Sequence, residues 1–373
     1  MDPLINPGNQ PINDQNGNGN NFTKADKLDE LAQKITTIQV PSDLKNNLVD
    51  RVERLKLLRS GNGFGTSSYI TELESNTSYI NWVLSLPWYK KSQDILDLVH
   101  AKEILNKNHY GLEGVKDRIL EYLAEVILNT RNHGDGIIRS PILCLIGLAG
   151  TGKTTLASSI AESLGRKFER IPFGGMGDAQ ALRGQSKAFA DAEPGYIIKR
   201  LAHAQTKNAV ILLDELDRIS ESARTDIMGV LVELLDPEQN RAYIDHYIDY
   251  PFDLSSVIFV ATANNTANIS TAVLDRLEII QMPSYTDEEK IMIGKNYLFP
   301  KIRQQTGLNP SQLQIADDIW SSVITPLGFD SGIRSLQRTI EGICRKVARQ
   351  IVEGKVQTVL ITSNNLKEYL PSW

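Results

Sequence analysis

Gly147-Leu148-Ala149-Gly150-Thr151-Gly152-Lys153-Thr154 spells G-x-x-x-x-G-K-T, directly after the apolar run Ile142-Leu143-Cys144-Leu145-Ile146. These residue types at this spacing point to phosphate chemistry. Glycines at 147, 150 and 152 let successive backbone N–H groups turn inward and cradle anionic oxygens. Lys153 brings a point charge for the β- and γ-phosphates, and the Thr154 hydroxyl can ligate Mg²⁺. The expected nucleotide-binding set here is Gly147, Gly150, Thr151, Gly152, Lys153, Thr154 and Thr155. From Thr154 to Leu164 the apolar positions 156, 160, 161 and 164 predict a helix that stops at Gly165. Its N-terminal dipole would face the anion.

A second chemical signal lies about sixty residues on. Val210-Ile211-Leu212-Leu213-Asp214-Glu215 is an apolar strand ending in two carboxylates. Beside a phosphate loop, Asp214 would hold hydrated Mg²⁺ and Glu215 would polarise the attacking water. Taken alone, the same pair reads as solvated acids at a helix start. Val257-Ile258-Phe259-Val260-Ala261-Thr262-Ala263-Asn264 delivers an amide at the end of another apolar run. Asn264 can hydrogen-bond the lytic water or the γ-phosphate, or simply cap the next turn. Arg276 and Arg334 are, by themselves, ordinary surface charges.

These residues need a scaffold, and 373 residues suffice for two or three domains. With 40 Lys+Arg against 45 Asp+Glu, the bulk charge gives no reason to expect nucleic-acid binding. No apolar run approaches the ~18 residues of a membrane span, and the N-terminus lacks a secretory pattern. Cys144 and Cys344 sit in apolar patterns and read as a reduced, core-packed pair, as expected of a cytoplasmic protein. The five histidines show no metal-ligand spacing.

Residues 1–25, rich in Asn, Gln, Gly and Asp, are expected to be disordered. Residues 26–105 read as a helical arm: Leu28, Leu31, Ile35, Leu44, Leu48, Val52 and Leu55 recur at helical spacing. Pro41-Ser42 punctuates that run, and Gly61–Gly65 breaks the chain before a further helix over 67–84. Residues 106–283 alternate helical and continuous apolar stretches, the pattern of a parallel α/β sheet. The predicted strands are 142–146, 168–172, 210–213, 257–261 and 278–282. The predicted helices include 115–128, 196–204 and 223–235. Residues 284–373 read as a helical subdomain, opened by a capping box at Thr286-Asp287-Glu288-Glu289.

Leu86-Pro87-Trp88, His109-Tyr110-Gly111-Leu112, Gly165-Arg166-Lys167-Phe168, Leu235-Asp236-Pro237-Glu238-Gln239-Asn240, Pro251-Phe252-Asp253-Leu254 and Leu274-Asp275-Arg276-Leu277-Glu278 carry a resemblance. Over about residues 65–373 the chain resembles the ATPase module of the Lon family of ATP-dependent proteases, within the AAA+ superfamily. The resemblance implies an α/β P-loop NTPase fold: a parallel-sheet αβα domain, a C-terminal helical lid and an N-terminal helical arm. It implies ATP and Mg²⁺ as ligands, with His109, Tyr110 and Gly111 added to the nucleotide-binding set. It makes Asn264 the sensor-1 residue, Arg334 the sensor-2 residue of the lid, and Arg276 an arginine finger for the neighbouring subunit. It also implies a hexameric ring, nucleotide-dependent in assembly, that threads unfolded or damaged protein substrates through a central pore.

The family's substrate grip is an aromatic-hydrophobic pair on a loop that here runs Arg183–Asp191. Phe189 falls on the aromatic position unless it is a core residue. Ala190 replaces a larger aliphatic side chain, and Asp191 stands where glycine is usual. The second pore loop, Ser220–Arg224, lacks a bulky apolar residue. The family's Ser–Lys protease domain and its N-terminal recognition domain are expected to be missing, so a separate peptidase is a candidate partner. A stand-alone AAA+ remodeller of proteins and a nucleic-acid remodeller are the alternative readings. The absence of a basic stripe counts against the second. A third reading, a scaffold that binds nucleotide without hydrolysing it, has no use for a water-activating Glu215.

Overall fold

The structure, a computed structural model, describes residues 24–60, 66–133, 141–189, 191–324 and 332–371. Most of the tail expected to be disordered, and the Gly61–Gly65 break, lie outside these residues; Lys24 and Ala25 already belong to a helix.

In chain order the strands are β1 (Ile142–Ile146), β2 (Phe168–Pro172), β3 (Val210–Asp214), β4 (Tyr243–Ile244), β5 (Pro251–Phe252), β6 (Ile258–Ala263), β7 (Leu277–Gln281), β8 (Leu313–Ile315) and β9 (Val359–Ile361). Five of them form one parallel sheet in the order β2-β3-β6-β1-β7. β1, β3 and β6, buried on both faces, read as unbroken apolar runs, which is why their positions were visible in the sequence. Their side chains still alternate. Cys144, Ile146, Ile211, Leu213, Phe259 and Ala261 enter the core on one face. Leu143, Leu145, Val210, Leu212, Ile258 and Val260 enter the core on the other.

Helices α1 (Lys24–Thr37), α2 (Ser42–Ser60) and α3 (Thr66–Ser85) form the arm. Its apolar stripe is buried: Ile35, Leu44, Leu48 and Val52 join Ile80 and Val83 of α3 in the first of the two sheet cores. Each such side chain contributes roughly 1.5–3 kcal/mol by leaving water. The arm therefore packs on the α/β domain and does not project from it. Tyr79 Oη donates to Ile248 O at 3.1 Å, and the Trp88 ring meets Phe252 at 5.1 Å.

The next helix, α4 (Leu98–Asn108), lies within residues 26–105 but packs elsewhere. Its Ala101 and Leu105 belong to the core on the opposite sheet face, with α5 (Glu113–His133) and α6 (Lys153–Ser163). The extended stretch before it is strapped down. Arg166 pairs with Asp94 at 2.6 Å, and the Ser92 N–H donates to Asn208 Oδ1 at 2.8 Å.

The C-terminal subdomain has its own core, around Trp320, Leu336, Ile340, Ile343 and Val347. Thr286 and Glu289 form the expected capping box on the helix Asp287–Ile293. One feature departs from an all-helical reading. β8 and β9 pair in parallel, Leu313 with Val359 and Ile315 with Ile361. Three-residue strands joined across more than forty residues leave no periodic signal. Among the described residues no helix is long and apolar enough to cross a membrane.

Candidate functional site

The glycine-rich loop leaves β1 and enters α6. Gly150 and Gly152 have φ of 85° and 94°, where a side chain is strained. At Gly147 an added Cβ would come within 2.7 Å of the Met282 backbone oxygen, so only glycine fits beside β7. Lys153, the first residue of α6, donates from Nζ to Gly147 O (2.5 Å), Leu148 O (3.0 Å) and Asn264 Oδ1 (3.1 Å). Burial pulls its pKa below the usual lysine value, while Asp217 and Asp214 act in the opposite direction.

β3 ends beside this loop. Asp214 is buried, 4 % exposed, so the reading of a solvated acidic pair does not describe it. Its Oδ1 accepts the Thr262 hydroxyl, and its Oδ2 accepts Arg170 Nε at 2.6 Å. Thr262 Oγ1 in turn accepts the Glu215 N–H at 2.9 Å. One hydroxyl thus orients both carboxylate residues. Glu215 sits at φ 63°, ψ 51°, a left-handed conformation that costs a non-glycine residue on the order of 1 kcal/mol. Its Oε2 lies so close to Gly174 that an added Cβ there would approach it to 2.8 Å.

Asn264, at the end of β6, bridges two charges. Its Oδ1 faces Lys153, and its Nδ2 donates to Asp217 Oδ2 at 3.2 Å. A carboxylate only accepts, so Asp217 dictates which way the amide points. Thr262, Asp217 and Arg170 escaped the sequence reading. A threonine in an otherwise apolar strand and an aspartate three residues past Asp214 were the available signals.

Lys153, Thr154, Asp214, Glu215, Asn264 and Arg334 line one cavity of about 180 Å³, with Gly150, Gly152, Thr155, Ile333 and Gln337. Arg334 opens the long lid helix Arg334–Val352. The lid backbone touches the loop directly: Ile333 N–H donates to Gly150 O at 3.1 Å. A Cβ on Gly332 would sit 2.5 Å from Ala149 O. An adjoining recess of about 460 Å³ shares Gly152, Thr155, Ile333 and Gln337 and continues to His109, Tyr110, Tyr285 and Tyr297. Gly111, at φ 64°, lines a third recess of about 320 Å³ with Tyr110 and Glu289. His109 is buried and its Nε2 lies 3.0 Å from Ser159 Oγ. Burial, and then the nearby Lys116 charge, push its pKa down to about 4. Thr151 is buried, and its carbonyl accepts the Tyr285 hydroxyl at 3.1 Å.

Arg276 and Phe189 line none of these three recesses. Arg276 precedes β7, which runs parallel to β1, so it sits at the end of the sheet opposite the glycine loop. The five-residue strand between them spans about 17 Å. There Arg276 donates to Ala272 O at 2.8 Å and faces Asp236 at 3.5 Å. Phe189 is 67 % exposed, which rules out its reading as a core residue. Ala190 lies outside the described residues. Asp191 has φ 60°, the conformation that explains a usual glycine there.

Residues 143–285 match the family model AAA, "ATPase family associated with various cellular activities". Residues 304–359 match the "Lon protease AAA+ ATPase lid domain". The chain is 41% identical over 345 residues to the Lon protease of Lawsonia intracellularis, covering 92% of this chain and 40% of that protein. It is 45% identical over 293 residues to the Lon protease of Desulfatibacillum aliphaticivorans, covering 79% and 35%. With the Lon protease of Clostridioides difficile the identity is 40% over 345 residues, covering 92% and 42%. The chain spans about two fifths of the length of these relatives.

Proposed function

Because this chain belongs to the Lon family, as the part that carries its AAA ATPase and lid domains, we propose that it couples ATP hydrolysis to unfolding and translocation of protein substrates. One observation carries the proposal: Lys153, Thr154, Asp214, Glu215, Asn264 and Arg334 converge on a single cavity between the sheet and the lid.

The donors there suit a magnesium nucleotide. One carboxylate and one hydroxyl are hard oxygen ligands, and Mg²⁺ commonly keeps water and phosphate in its remaining positions. Thr154 and Asp214 would hold the ion, which when bound neutralises phosphate charge. Lys153 would lie along the β- and γ-phosphates, cradled by the N–H groups of Gly150 to Thr155. Glu215 would take the proton of the attacking water, and Asn264 would hold that water against the γ-phosphate. Arg334 would contact nucleotide within its own chain. The neighbouring recess, with His109, Tyr110 and Gly111, would accept the base.

Arg276, remote from its own cavity, is suited to serve the next subunit in a homo-oligomeric, hexameric ring. Such a guanidinium near the γ-phosphate stabilises transition-state charge strongly, which makes turnover depend on assembly. Exposed Phe189, with Ala190, would grip unfolded protein. Proteolysis would belong to a Ser–Lys domain in the same protein or to a separate peptidase. The two buried, unpaired cysteines suit a cytoplasmic protein.

The test is Glu215→Gln. ATP binding is expected to persist, while Mg²⁺-dependent turnover falls by on the order of 100-fold or more. Undiminished turnover in that variant would overturn the mechanism.

A further inference from the structure

The loop from Gly184 to Gly195, with Phe189 exposed near its tip, is pinned at its neck by a single buried carboxylate. Asp245 Oδ2 accepts the Gly195 N–H at 2.7 Å, while Oδ1 accepts Tyr247 N–H at 2.9 Å and Ile248 N–H at 3.1 Å. Gly184 packs against the same carboxylate, since an added Cβ would lie 2.6 Å from Oδ1. The His246 N–H donates to Arg183 O at 2.7 Å, closing the other side of the neck.

The turn that pins the loop is itself held by the helical arm. Tyr79 of α3 donates to Ile248 O at 3.1 Å, and Tyr247 Oη lies 3.3 Å from Ser78 Oγ. Beyond the neck the arm touches the loop once more. Lys187 Nζ lies 4.4 Å from the centroid of the Tyr79 ring, and Arg51 of α2 lies 4.6 Å from it. Asp249 faces Lys187 at 3.7 Å. Two cations on one ring repel each other. Burial and then Arg51 lower the Lys187 pKa, with Asp249 opposing them. Lys187 and Phe189 are two residues apart, so their Cα atoms lie within about 7.6 Å and one cannot shift far without the other.

We propose that the helical arm positions the substrate loop, with the Tyr79 ring holding Lys187 and thereby setting where Phe189 stands. The proposal rests on the reading of Phe189 as the substrate contact, and Tyr79 acts through Lys187 without touching substrate. A cation over a buried aromatic ring such as Tyr79 is worth enough that its loss raises the half-saturating concentration of substrate by about 2- to 30-fold.

The experiment uses the full chain with a reduced, carboxymethylated unfolded protein as substrate. It measures ATPase stimulation in Tyr79→Leu, Tyr79→Phe, Lys187→Met and Lys187→Arg. The same four changes are placed on Phe189→Cys carrying a spin label. Both native cysteines are buried, which directs the label to position 189. Tyr79→Leu and Lys187→Met are expected to raise label mobility and the half-saturating substrate concentration. Tyr79→Leu is expected to leave the KM for ATP within twofold, and Lys187→Arg is expected to stay near the parent. Tyr79→Phe, which keeps the ring but loses the bond to Ile248 O, is expected to fall between the parent and Tyr79→Leu. Should Tyr79→Leu misfold, as thermal unfolding would reveal, the change Lys187→Met at a half-buried position still decides. Unchanged label mobility in Lys187→Met overturns the proposal. A rise in mobility, with Phe189→Ala still stimulated by unfolded protein as the parent is, upholds the tether and overturns the gripping role of Phe189 instead.

Discussion

Asn264 can present either face of its amide to a nucleotide, and Asp217 removes the choice. Asp217→Asn would let that amide rotate, because the new side chain both donates and accepts. The expected result is a fall in kcat of roughly 10-fold, the loss of one hydrogen bond to a charged group, with the KM for ATP within twofold. Steady-state kinetics checks this, and a KM rise matching the fall in kcat would show plain loss of binding. His109 makes a prediction in pH. Its folded pKa of about 4 lies below the ordinary value of 6.5. Between these values the unfolded chain binds more protons, so stability contributed by neutral His109 is present above pH 6.5 and lost toward pH 4. The full effect is about 3 kcal/mol. Asp245, raised to about 6 by burial, acts with the opposite sign in an overlapping window, losing stability as pH rises from 3.8. Comparison with His109→Gln isolates the histidine: the stability of the parent relative to the variant should rise with pH between 4 and 6.5, while the variant keeps the opposite slope set by Asp245.

At this scale the sequence showed the loop, the two carboxylates and the amide, since each ends an apolar run. It hid Thr262, whose hydroxyl matters only because β6 lies next to β3, a pairing between residues nearly fifty positions apart. Arg170 was hidden for the same reason: it reaches Asp214 only because β2 pairs with β3, with Arg170 beside Leu212 and Pro172 beside Asp214.

Among the elements, the buried strands were legible because both of their faces are covered, and the arm helices because only one stripe is. The order β2-β3-β6-β1-β7 was not legible, since long crossovers carry no local pattern. The two-residue pair β4–β5, Tyr243 with Phe252, was too short to register, yet it lies in the stretch whose turn holds the loop between Gly184 and Gly195. The capping box was legible as Thr286 and Glu289 and is intact, with Thr286 N–H donating to Glu289 Oε2 at 2.9 Å. Thr286→Ala is expected to cost about 1 kcal/mol, because it leaves the Glu289 N–H at the helix start without its partner. A denaturant titration followed by lid fluorescence from Trp320 would register it as an earlier transition, and an unshifted midpoint would contradict it.

For the whole molecule, the distance between Arg276 and Glu215 predicts how mixed assemblies behave. Arg276→Ala chains and Glu215→Gln chains should each turn over ATP poorly. Mixed, they should recover part of the activity, because an Arg276→Ala site beside a Glu215→Gln neighbour regains both groups. A turnover assay across mixing ratios, with assembly followed by sedimentation, measures this. Additive, inactive mixtures would mean that Arg276 serves its own chain or none.

The bond from Ile333 to Gly150 has a consequence for the rhythm of such an engine. It joins the roof of the cleft to its floor through the main chain, so no substitution at either residue deletes it except Ile333→Pro, which removes the N–H. If spent nucleotide leaves by a tilt of the roof, that tilt must either break this link or pull the floor along. In that case exhaust and power stroke would be a single movement, and the speed of one would limit the other.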